Sequence, residues 1–234
     1  MRLEELFNNL GAIAGTVAAQ VRDATVPGVP ADELDLTGPP PRKVALTGPA
    51  HVVIAEGEMF RVAVESGPGS ETVRFALDGE RLRIGGGEAD TVIHVTLPAP
   101  RRLALAGSGR MHAARLARDG KVAIAGSARL EIERADGGSL DVNIAGSGRL
   151  MIDGEADALG LSIAGSGSFD GEGLAVGSAK VSVAGSGDAI FSCDGDVAAS
   201  LMGSGNVIVR GAARCSVSSM GSGTLVCERP RDAA

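Results

Sequence analysis

The sequence contains no tryptophan and no tyrosine, and its aromatic residues are five phenylalanines. Aromatic rings normally supply the largest buried areas of a core, so their scarcity predicts a thin, aliphatic one. It also removes the platforms on which sugar-cleaving enzymes usually stack their substrates. Histidine is nearly absent, with three residues in 234, and positive charge is in deficit: 22 Lys and Arg against 29 Asp and Glu, a formal charge of −7. That balance speaks against nucleic acid, whose binding rests on cationic neutralisation of phosphate. No segment is apolar for long enough to span a membrane as a helix. The cysteines are three, Cys193, Cys215 and Cys227. They stand at different offsets from the repeated serines described next, so they are not expected to stack in one ladder. They read as buried small hydrophobes rather than a disulfide.

Glycine is what the chain has in excess, 35 residues, roughly twice the ordinary share. Much of it returns in one phrase: Ala106-Gly107-Ser108-Gly109, then corners at Ser127, Ser147, Ser166, Ser186, Ser204 and Ser222, spaced 19, 20, 19, 20, 18 and 18 residues apart. Self-similarity at a fixed short period marks a repeat architecture. Apolar residues recur five and three positions before the serines, as in Val122 and Ile124 or Leu161 and Ile163, with Ser219 the exception in the last copy and small or polar residues such as Ser162 between them. Others recur three positions after it, as in Met111, Leu130, Leu150 and Phe169. This period-two alternation on both sides of a Gly-Ser corner makes each copy a strand, a bend and a strand. One copy cannot bury its apolar face, but stacked copies can. The expected fold is therefore all-β, a parallel β-helix or β-solenoid of about 18–20-residue coils, right-handed by the usual preference of parallel crossovers. Seven coils at ~4.8 Å give a rod of about 34 Å. The glycine before each serine suits a positive φ or a tight approach, and the serine hydroxyl is expected to bond a corner amide or carbonyl up the stack.

Taken in order, residues 1–23 read as an amphipathic helix with Leu3, Leu6, Phe7, Leu10, Ile13, Val17 and Val21 on one stripe. A signal peptide competes with that reading, against the acidic Glu4 and Glu5. Residues 24–42 are a proline-rich linker, and residues 43–228 the solenoid, with irregular first coils over 43–102, regular coils over 103–228 and a tail at 229–234. In the irregular part, Pro49 takes the place of the serine, 59 residues or about three coils before Ser108. Strands are expected at 61–64, 72–77, 81–84 and 91–96, with a hairpin turn at Asp78-Gly79 and loops at 66–71 and 85–90.

The run Leu46-Thr-Gly48, Val52-Val-Ile54, Asp78-Gly79-Glu-Arg-Leu82-Arg-Ile84 and Val95-Thr-Leu97-Pro98, followed by serial Gly-Ser-Gly coils, resembles the bacterial head-GIN-domain family, also called autotransporter adhesin head. The resemblance spans about residues 42–228. It implies a right-handed β-helix and an envelope or surface setting, and it carries no catalytic residues.

Catalytic readings fare poorly on the residues. A nucleophilic serine needs a base within hydrogen-bond reach, and a serine repeated in every coil is structural. No Gly-Lys-Ser/Thr follows the glycines, so they are no phosphate loop. Asp153, Glu155 and Asp157 are the nearest thing to the paired carboxylates of a polysaccharide-cleaving β-helix, and they read as a solvated turn. The expectation is a non-catalytic envelope module of adhesin type, needing no cofactor or metal, with a polysaccharide-active enzyme or an intracellular scaffold as alternatives. Two surfaces are candidate sites. Arg110, Arg129 and Arg149 lie two residues after the serine in three successive coils, a ladder suited to an anionic glycan or cell-surface carboxylate. Ile190, Ile208 and Val226 lie four residues after it in the last coils, where strands are apolar on both faces. A cover is expected there, either the amino-terminal helix or a second subunit of a homo-oligomer.

Overall fold

A computed structural model describes residues 28–228, and the expected helix at 1–23 and tail at 229–234 lie outside the described residues. The rest is a β-solenoid. Each regular coil enters along a strand of one sheet, turns at the Gly-Ser corner and leaves along a strand of a second sheet. In chain order these are β7 (Arg102–Gly107) and β8 (Arg110–Ala113), β9 (Lys121–Gly126) and β10 (Arg129–Asp136), then β11 (Ser139–Gly146). The longer β12 (Arg149–Gly165) and β13 (Ser168–Gly185) each run out along the second sheet and back along the first. They are followed by β14 (Asp188–Cys193), β15 (Asp196–Gly203), β16 (Asn206–Arg210), β17 (Arg214–Gly221) and β18 (Thr224–Glu228). Every neighbouring pair in these coils is parallel and in register on the corner, as in Leu103↔Val122 and Val142↔Leu161. The register slips between Ile132 and Ala135, between Met151 and Gly154 and between Gly171 and Ala175, where a short third side closes the coil.

The corner explains the repeat phrase, though not through the atom expected. Corner glycines such as Gly107, Gly146 and Gly165 hold φ at +106°, +109° and +115°, a region open to glycine and strained for other residues. The serine N–H then donates to the carbonyl of the corner glycine one coil earlier, at 2.8–2.9 Å for Ser127, Ser147, Ser166, Ser186 and Ser204. No corner serine hydroxyl is hydrogen-bonded among the described residues. The backbone makes the ladder because the left-handed glycine turns its carbonyl along the stack. The second glycine is buried for another reason: a Cβ on Gly167 or Gly187 would lie 2.5 Å from Cγ2 of Ile144 or Ile163 in the coil before.

The core is the predicted thin aliphatic column. Val122, Ile124, Leu130, Ile132, Val142, Ile144, Leu150 and Ile152 are at most 1 % exposed. Phe169 and Phe191, in successive coils, meet edge to face at 6.4 Å.

The opening departs from the expected count of coils. Its strands are β1 (Lys43–Thr47), β2 (His51–Glu56), β3 (Arg61–Val64), β4 (Arg74–Asp78), β5 (Arg81–Gly85) and β6 (Val92–Leu97), close to the positions read from the sequence. However, β1 pairs directly with β7 and β2 with β8, so Pro49 sits one coil from Ser108, not three. The intervening residues fold back to the far side of β1 and β2, where β5 and β6 form one more parallel coil. The strands β3 and β4 then lie antiparallel along the outer edges of β6 and β5, the latter through the Asp78-Gly79 hairpin. Thr91 is buried and pins the two loops, donating to the Pro68 carbonyl at 2.8 Å and accepting from the Glu88 N–H. The linker joins in: Val29 exchanges two backbone hydrogen bonds of 2.8 Å with Phe75 of β4.

Candidate functional site

The outer face of the second sheet carries the chemistry. Two residues beyond the corner, the register runs His51, Arg110, Arg129, Arg149, Ser168 and Asp188 from coil to coil, and Asn206 pairs with Thr224 at the end. The three arginines are thus stacked in consecutive coils and exposed, about 4.8 Å apart along the backbone. The far half of this column satisfies itself. Asn206 donates to Asp188 through its backbone and its side-chain amide, each at 3.1 Å, and Thr224 donates to Asn206 Oδ1 at 2.7 Å. Arg149 donates to Ser168 Oγ at 3.0 Å. Arg110 and Arg129 have no carboxylate within 4 Å among the described residues. Glu133, which could have damped them, is turned to His112 at 3.1 Å.

Histidines extend the basic end. His94 and His112 flank Val53 in the adjacent outward column, and His94 pairs with Glu65 at 2.7 Å. Burial holds the His51 pKa below its ordinary value, helped by Arg110, His112 and His94 around it. No histidine is hydrogen-bonded to a serine among the described residues; His112 faces Glu133 and His94 faces Glu65.

The same face becomes apolar toward the other end. Ile190, Ile208 and Val226 stand in one register column beyond Asp170. Ile190 and Ile208 are half-buried, and Val226 is exposed.

A second feature was not anticipated. From Ser186 onward the coil shortens to 18 residues, and the third side, continuous strand in β12 and β13, shrinks to a turn after β14. The loss opens a groove of about 1020 Å³ lined by Glu155, Asp157, Val176, Cys193, Asp194 and Arg210, among others. Its rim is tied by ion pairs: Arg210 to Glu172 at 3.2 Å and Arg118 to Asp157 at 2.7 Å. No group of three or more His, Cys, Asp or Glu is placed to hold a metal ion among the described residues. The only sequence signal for the groove was the drop in repeat length.

The cysteines divide. Cys193 is buried beneath Val176 as expected, and burial raises its thiol pKa. Cys215 and Cys227 instead form an exposed disulfide, which corrects the expectation. Their offsets from Ser222 differ because they sit on opposite arms of one coil. They meet across that coil, a direction that a comparison up the stack does not test.

Solved structures share this fold. A putative adhesin from Bacteroides fragilis aligns with a TM-score of 0.66 at 16% identity, over 81% of this chain and 93% of that one. A putative adhesin from Parabacteroides merdae gives 0.56 at 17%, over 80% and 91%. A putative lipid binding protein from Parabacteroides distasonis gives 0.60 at 17%, over 82% and 94%. No curated protein matches the chain. The family model described as "Putative auto-transporter adhesin, head GIN domain" matches residues 40–213. With the coils, the corner phrase and the folded-back opening all within or beside that span, the chain belongs to this head GIN domain family.

Proposed function

We propose that the protein is a non-catalytic binding module of the bacterial envelope whose basic face, centred on Arg110, Arg129 and Arg149, holds an anionic polysaccharide. The observation that carries this reading is the contrast within one register column. Its far half is neutralised by its own ladder of hydrogen bonds, while Arg110 and Arg129 stay exposed with no carboxylate partner among the described residues. Stacked guanidinium groups at strand spacing suit a polymer with regularly repeated carboxylate or sulfate groups, because each can accept paired hydrogen bonds from the planar fork. A net charge of −7 keeps the rest of the surface from binding polyanions indiscriminately. The exposed Cys215–Cys227 disulfide suits an oxidising compartment, and so supports the envelope setting. The family description is of the same kind.

The test is binding of immobilised dextran sulfate against neutral dextran, for the protein and for the Arg110→Ala, Arg129→Ala, Arg149→Ala triple variant. Salt-sensitive binding to the sulfated polymer, weakened about tenfold or more per arginine removed, supports the reading. Equal binding to the neutral polymer, or a triple variant that binds as well as the parent, sinks it.

A further inference from the structure

We propose that the exposed coil of β17 and β18 is a self-association edge that joins two copies of the chain tail to tail. In the preceding coil, Val197, Ala199 and Leu201 are 1, 4 and 2 % exposed. One coil later no further coil covers the inward column among the described residues: β17 is exposed along its whole length, with Val217 at 54 %. Among the described residues β17 is paired only with β15 and β18 only with β16, so each presents an outer edge of unpaired N–H and C=O groups. Natural sheets blunt such edges with charge or proline, or cover them. Among the described residues this coil does neither. From Cys215 to Cys227 there is no charged residue and no proline, and the disulfide across the coil holds the edge in shape for a partner.

The occupant is a second copy for reasons of topology and charge. The opposite end of the solenoid is closed by β3 and β4, which lie antiparallel on its last parallel coil, and by Val29 on β4. A tail therefore has no head to add to, and the complement available on another copy is the same free edge. Such a contact is isologous and closes at two. Antiparallel pairing of β17 with the second copy's β18 also brings the opposite charges that bracket the neutral run, Arg214 and Glu228, toward one another at both rims. The chain's own outlying segments fit less well. Residues 1–27 join the described chain at Gly28, at the capped end, about ten strand spacings or roughly 48 Å away. The sequence reads residues 1–23 as an amphipathic helix, and a helix bonds its backbone groups internally and offers none to a strand edge. The residues that follow Glu228 are Arg229-Pro230-Arg231-Asp232, charged and broken by proline. One coil end is a small interface, so the pair exchanges and its population depends on concentration.

The experiment is light scattering coupled to size separation, run on the full chain over a wide range of concentrations without reductant. It includes the Val217→Glu variant and a variant lacking residues 1–27. The expected result is a mass rising from one chain to two and stopping there, abolished by Val217→Glu and kept without residues 1–27. Circular dichroism should be unchanged by Val217→Glu, since that side chain already faces solvent. Should that variant fold poorly, hydrogen exchange of the parent decides: the amides of residues 215–218 must slow as concentration rises. A single-chain mass at every concentration overturns the proposal. So does growth beyond two, a dimer that survives Val217→Glu, or one that is lost only when residues 1–27 are removed.

Discussion

Gly165 holds φ at +115°, and a Cβ there would sit 2.6 Å from the Gly146 carbonyl oxygen that anchors the corner. Its neighbour Ser166 uses only its backbone N–H, at 2.9 Å to that same oxygen. The two residues repeat together, yet the physics binds only one of them to its identity. Gly165→Ala should destabilise by at least about 1–2 kcal/mol, the cost of the left-handed region for a residue with a Cβ. Ser166→Ala should stay within about 0.5 kcal/mol of the parent, and chemical denaturation of the pair checks both. His51 offers a second residue-scale test. Its folded pKa lies below the ordinary 6.5, through burial first and the neighbouring Arg110, His112 and His94 after it. Between those two values the unfolded chain takes up the proton and the folded chain does not, so stability present above pH 6.5 is lost as pH falls through the folded pKa. The melting temperature should therefore drop on acidification below pH 6.5, less steeply in His51→Asn. Polyanion binding should respond in the opposite sense, strengthening as His51 becomes charged and lengthens the basic column.

At the scale of the coil, one exception explains the rule. The position after the corner serine is glycine in six of the regular coils and Ala128 in the other, buried at 1 % exposure. Beneath Gly148 lies Ile124, whose Cγ2 a new Cβ would strike. Beneath Ala128 lies Leu105, which carries no branch at Cβ and leaves room for a methyl group. Gly148→Ala alone should cost about 1–3 kcal/mol through overpacking. Combined with Ile124→Leu it should recover part of that loss, and a double-mutant cycle should show coupling of about 0.5 kcal/mol or more between these contacting sites. Additive losses would mean that the clash lies elsewhere, for instance with the Ala128 carbonyl. The same logic of stacking accounts for the basic face, because a residue type repeated at one offset becomes a column whether or not its members attract.

For the whole molecule, the two ends decide how a solenoid behaves. One end is closed by an insertion that doubles back, adds a coil and lays antiparallel strands over the edges, so growth from that side is blocked. Phe75, fully buried in β4, ties this cap to the core. Phe75→Ala should cost about 3–5 kcal/mol, and loss of the cap should show as aggregation below the unfolding transition in light scattering. A soluble variant with an unchanged melting temperature would show that the cap contributes nothing. The other end is open among the described residues, and its last coil is cross-linked by the Cys215–Cys227 disulfide. Reduction should therefore accelerate hydrogen exchange in β17 and β18 while the capped end stays protected.

The sequence by itself determined the coil: its length, the strand on either side of the corner, the column of aliphatic residues and the register that stacks Arg110, Arg129 and Arg149. These were legible because a repeat writes one local arrangement many times, so that noise in any copy averages out while the offsets survive. What only the tertiary structure decided lies where neighbours in space are not neighbours in the repeat. The order of the first coils followed from which edge of β1 was left for β5, a choice between two equivalent pairings that no local pattern distinguishes. Cys215 and Cys227 met across a coil rather than along the stack, so an argument from ladders passed over them. The groove at Cys193 and Arg210 arose from a shortened third side, a missing length rather than a residue type. A pattern of side chains encodes what each strand buries; the closing of ends, corners and gaps depends on the path of the backbone between them.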